Sequence, residues 1–124
     1  MPFAAAISEH PLAAHAVGEV TGQVIDVLGD EPPDLAVLLV TGRHVGAMGD
    51  AGDVLRRLLR PRTLLGATAV SVLANGREVE ETPAVTLWAG RFGEVHPLSL
   101  ATDGAAADPP FTPSALLLLA DPFT

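Results

Sequence analysis

Apolar and polar positions alternate between two periods along this chain, and the changes of period mark out its elements. Phe3 to Ile7 is a short apolar run that reads as a first strand. Pro11 follows, a residue suited to a first helical turn because its missing N–H would have no partner there. Ala13, Ala16, Val17, Val20, Val24, Val27 and Leu28 then recur at helical spacing, and Gly29 closes the segment. Leu35 to Val40 is apolar without alternation, as in a strand buried on both faces. A glycine-rich loop is expected from Gly42 to Asp53, with Asp50 or Asp53 as helix cap. A second helix then runs through Leu55, Leu58 and Leu59 and ends at Arg60 before Pro61.

Arg62 to Val72 reads as a third major strand, and Asn75-Gly76 is a strong hairpin signal. Ala84 to Phe92 alternates, with Val85, Leu87 and Ala89 on one face and Thr86 and Trp88 on the other. Val95 to Leu100 is a candidate further strand, Ala101 to Ser114 a long loop, and Ala115 to Ala120 a last buried strand. Period and order together predict one α/β domain. It has a mixed sheet led by the Leu35–Val40 and Thr63–Val72 strands, two helices on one face and a β-hairpin within 64–92. The apolar closing strand, followed only by Asp121 to Thr124, suggests a domain completed by further sequence or by a partner.

Composition narrows the chemistry. The chain has 124 residues, 48% apolar but only 4% aromatic, so the core must be aliphatic, with Phe3, Trp88 and Phe92 as candidate anchors. The formal net charge is −8 and every basic residue is arginine, a balance that disfavours nucleic acid and anionic membrane surfaces as partners. With no cysteine there is neither disulfide nor thiolate chemistry. The opening residues lack a basic leader region, and the longest apolar runs are far short of the ~20 residues of a membrane span. A cytoplasmic protein is expected.

No catalytic constellation stands out. Thr41-Gly42-x-x-x-Gly46 imitates a dinucleotide-binding loop, but Met48 occupies the next glycine position and no acidic residue follows to hold a ribose. A degenerate nucleotide-binding enzyme built on the Thr41–Gly49 loop is therefore the alternative reading, beside an interaction module that completes its sheet with a partner. His10 and His15 are five residues apart, so a helix would turn them to different faces, and no metal or cofactor is expected. Serines 8, 71, 99 and 114 lack a nucleophile-elbow context. Glu78, Glu80 and Glu81 read as solvated hairpin charge.

Four stretches resemble, in order, the N-terminal FIST domain, a sensory module of bacterial proteins and some eukaryotic F-box proteins. They are FAAAISEHPLAAHAV, PPDLAVLLVTGRH, LRRLLRPRTLLGATAVSVLANGREVEETPAVTLWAGRF and ALLLLADPF. The most specific piece is Gly66-Ala67-Thr68 followed by Asn75-Gly76-Arg77-Glu78-Val79 and Pro83-Ala84-Val85. Residues 1–124 then correspond to the first part of such a domain. The resemblance implies a non-catalytic module that binds a small ligand, amino acids among the proposals, and passes its state to a C-terminal FIST domain or a signalling output. Sheet ends and βα loops are the expected pocket walls. The candidate ligand-binding residues are Thr41, Gly42, Arg43 and His44 after the second strand, and Gly66 and Thr68 on the third. Arg43 is the candidate partner for a ligand carboxylate.

Overall fold

The computed structural model describes residues 2–99 and 109–120. Its elements are β1 (Phe3–Ser8), α1 (Ala13–Leu28), β2 (Leu35–Thr41), a 3-10 helix (Gly42–Ala47), α2 (Met48–Leu58), β3 (Thr63–Ala69), β4 (Ser71–Ala74), β5 (Arg77–Glu80) and β6 (Ala84–Gly90). The four longer strands form one mixed sheet in the order β1-β6-β2-β3, and β4 and β5 form a separate two-stranded sheet. β6 runs antiparallel to both β1 and β2, whereas β2 and β3 are parallel.

Both helices lie on the same face. Ala4 and Ala6 of β1, Ala36, Leu38 and Val40 of β2, and Val85, Leu87 and Ala89 of β6 point toward Ala16, Val17, Val20 and Val24 of α1 and Ala51 and Leu55 of α2. This aliphatic layer is the main core, and the period-two reading of β6 matches it residue for residue. α1 needs the packing, because it lacks a side-chain cap and an acidic first turn. The hairpin packs on the opposite face, where Val72 and Val79 meet Ile7, Leu39, Ala69 and Ala84. Its Asn75-Gly76 turn has φ of 52° and 75°, the left-handed pair that a two-residue hairpin turn requires.

Several expectations are corrected. The strand expected from Arg62 to Val72 breaks at Val70, an 82% exposed residue, so β3 stays in the sheet and β4 leaves it. Residues 42–53 are the 3-10 helix and the first half of α2 rather than a loop. Ala47 rather than Asp50 or Asp53 precedes the helix, with no side-chain cap. Residues 95–99 form no strand, and Leu100 lies outside the described residues. Ala115–Ala120 is neither a strand nor buried; Leu116, Leu117, Leu118 and Leu119 are 75%, 55%, 58% and 46% exposed. The aromatic anchors also lie outside the helix-side core. Phe3, Trp88 and Phe92 cluster on the open half of the other face, with centroids about 6 Å apart. The expected loop over 101–108 and the terminal 121–124 lie outside the described residues.

Candidate functional site

The six sequence-derived candidates fall into two groups. Thr41 ends β2 fully buried, and its hydroxyl donates to the Thr82 carbonyl at 2.6 Å. Gly42 follows at φ 58°, where a Cβ would stand 3.2 Å from Pro83 N; the position accepts glycine because chain direction and space both demand it. His44 is 2% exposed, and its Nε2 lies 3.0 Å from the His10 carbonyl, so that nitrogen carries the proton and donates. These three residues tie the β2 exit to the β5–β6 connection and to the segment after β1. Gly42 and Arg43 face solvent, and Arg43 presents the one exposed side chain of this group.

Around them, Ser8 donates to Glu19 and also accepts from His10 N–H at 3.2 Å. His10 precedes α1 rather than lying within it, and its ring approaches that of His15 to 4.7 Å between centroids. Among the described residues, no three His, Asp or Glu side chains converge as metal ligands.

Gly66 and Thr68 belong elsewhere. β3 pairs in parallel with β2, so Gly66 stands beside Leu38 and Thr68 beside Val40, both on the helix side. A Cβ on Gly66 would lie 2.6 Å from Met48 Cε. The glycine therefore allows Met48, the first residue of α2, to lie against the sheet. Beside that contact a cavity of about 390 Å³ opens between α2 and β3. Leu38, Leu64 and Gly66 form its floor, and Met48, Gly49 and Gly52 one wall. Asp53 and Arg56 stand at its rim, joined at 2.8 Å, with side chains 68% and 64% exposed. A pair this open holds its partners by about 1 kcal/mol or less, so either group can exchange its partner for a ligand charge at little cost.

Of the six candidates, only Gly66 lines this groove. The sequence singles out none of Gly49, Gly52, Asp53 and Arg56 as site residues, because residues 42–53 read as loop and Arg56 as an ordinary charge on the second helix. The available signal was the i, i+3, i+7 spacing of Gly49, Gly52 and Arg56, which sets two glycines and a guanidinium on one side of a helix. A second cleft of about 250 Å³ lies between α1 and α2, lined by Ala13, Ala14, Val17, Ala47, Ala51, Val54 and a single charged residue, Asp50.

No family model matches the chain. It is 33% identical over 99 residues to an uncharacterized protein of Mycobacterium bovis, a match covering 78% of this chain and 26% of that protein. An uncharacterized protein of Mycobacterium tuberculosis matches to the same extent. Another from Mycobacterium tuberculosis is 28% identical over 109 residues, covering 86% of this chain and 28% of its own length. The chain thus spans about a quarter of the length of the curated relatives it matches.

Proposed function

We propose that this chain is a non-catalytic, cytoplasmic ligand-sensing module of the FIST kind. It holds a small carboxylate-bearing molecule, amino acids foremost, in the α2–β3 groove and passes the bound state to a companion C-terminal domain or signalling output. The observation that carries this reading is the pairing of an apolar floor, Leu38 and Leu64, with a guanidinium and a carboxylate on one rim. A free amino acid has the complementary set: a carboxylate for Arg56, an ammonium for Asp53, and a side chain for the floor. The order of the family-like stretches supports the same reading. No described helix is long and apolar enough to cross a membrane.

Thermal unfolding in the presence of each amino acid and of small carboxylates tests the proposal. Ligand at ten times its Kd stabilises the native state by about 1.4 kcal/mol, which raises Tm by about 4 °C in a domain of this size. The shift is expected to disappear in Arg56→Ala, whose exposed side chain can be removed with little effect on folding. If no small carboxylate at millimolar concentration moves Tm, the groove is not a ligand site.

A further inference from the structure

We propose that the free edge of β3 accepts an added strand, and that the strand is Ala115–Ala120 of a second copy of this chain. Among the described residues β3 pairs only with β2. Its seven residues, TLLGATA, include no charge and no proline, the usual devices that keep an exposed edge from pairing. At the opposite edge of the sheet, by contrast, the Ala5 carbonyl already takes the Asn75 side-chain amide at 2.8 Å.

The second half of the contact lies on the same chain. Ala115–Ala120 is six residues long, a reach of roughly 20 Å as a strand, close to that of β3. Its four successive leucines suit a strand covered on both faces, yet all four stand exposed here. Added beside β3, alternate leucines would enter the open side of the groove by Leu64 and Gly66. The others would lie by Leu65 and Ala67 on the opposite face.

Among the described residues, a single copy leaves both the edge and the segment uncovered. Two copies exchanging segments about a two-fold axis cover both at once, so the segment-to-β3 contact closes at two copies. The inference does not rest on ligand binding, although the partner's leucines would supply the missing outer wall of the groove.

Light scattering during size exclusion, from micromolar to millimolar protein, is expected to show twice the 12.7 kDa chain mass. Leu117→Lys should return the mass to one chain without changing the circular dichroism. Because the chain lacks cysteine, Thr68→Cys can be mixed with each of Leu116→Cys to Leu119→Cys in turn, and at least one mixture should form a disulfide between copies under mild oxidation. A monomer throughout the range, a dimer that survives Leu117→Lys, or a cysteine scan without a cross-link would each overturn the proposal. So would a disulfide that forms only within one doubly substituted chain, because the occupant would then be the chain's own segment.

Discussion

Asp34 holds together three parts of the backbone. Its main chain bonds to Gly90 and Thr63, joining the start of β2 to the end of β6 and the start of β3. Its carboxylate accepts from Phe92 N–H at 2.8 Å and Gly93 N–H at 3.0 Å, and Arg62 lies 3.9 Å away. The Gly93 hydrogen bond is the largest influence on its acidity. Partial burial opposes it, but the Phe92 bond and the Arg62 and Arg91 charges add to it, so the carboxyl titrates below its ordinary 3.8. A depressed folded-state pKa stabilises the native state above the unfolded-state value, and that contribution is lost as pH falls through the folded value. Asp34→Ala is therefore expected to cost about 2 kcal/mol near neutral pH. Well below pH 3.8, the ordinary value, the gap between variant and parent should narrow. Urea denaturation at the two pH values measures this; an unchanged gap would mean that the charge itself contributes nothing.

The same scale explains why the candidate site was only partly legible. Thr41, Gly42 and His44 have the types and position of ligand-contacting residues, but the two side chains are satisfied internally and the glycine is required by its backbone. Gly66 was singled out on a family resemblance, and its physical role is contact with Met48. Sequence order does not show that residues 48 and 66 meet across an α2–β3 seam.

Among the elements, the hairpin makes the most direct test of which residues face inward. Val72 and Val79 are 4% and 5% exposed against the second face of the sheet, whereas Leu73 between them is 68% exposed. Val72→Ala is expected to cost about 2 kcal/mol by leaving a void over Ile7 and Leu39. Leu73→Ala should stay within about 0.5 kcal/mol of the parent. Equal losses in chemical denaturation would mean that the hairpin is not seated in this register. On the outer side Glu78 titrates above its ordinary value, first through a hydrogen bond with Glu80 and then through that neighbour's charge. Arg77 instead pairs with Glu9, linking hairpin and β1 exit.

Elements with a local signature were legible: the 3.6-residue period of α1 up to Gly29, the unbroken apolar β2, the alternating β6 and the Asn75-Gly76 turn. Which strands pair was not. β3 and β6 flank β2, and no periodicity within either announces that neighbour. Ala115–Ala120 has the composition of a core strand, but composition specifies no partner.

At the scale of the whole molecule, charge decides what the surface excludes. Fifteen acidic residues against seven arginines set a net charge of −8, a field that opposes a phosphate backbone even though Arg56, Arg57, Arg60 and Arg62 fall within seven residues. Micromolar protein at about 0.15 M salt is expected to leave duplex DNA unshifted in a native gel. A saturable shift would show that the arginines gather in a way that net charge conceals. The relatives, about four times as long as the matched region, place this α/β unit within larger polypeptides in those proteins.

The position of β6 has a consequence for how the molecule is made. Among the described residues β6, one of the two inner strands of the sheet, is the last strand in chain order, and β1 has no other strand beside it in that sheet. While a ribosome is still short of Gly90, β1 lacks its neighbour and only β2 and β3 can pair. The nascent chain must keep Phe3–Ser8 unpaired through the synthesis of some eighty residues, a long-range closure of the kind that slows folding and leaves early segments open to chaperones.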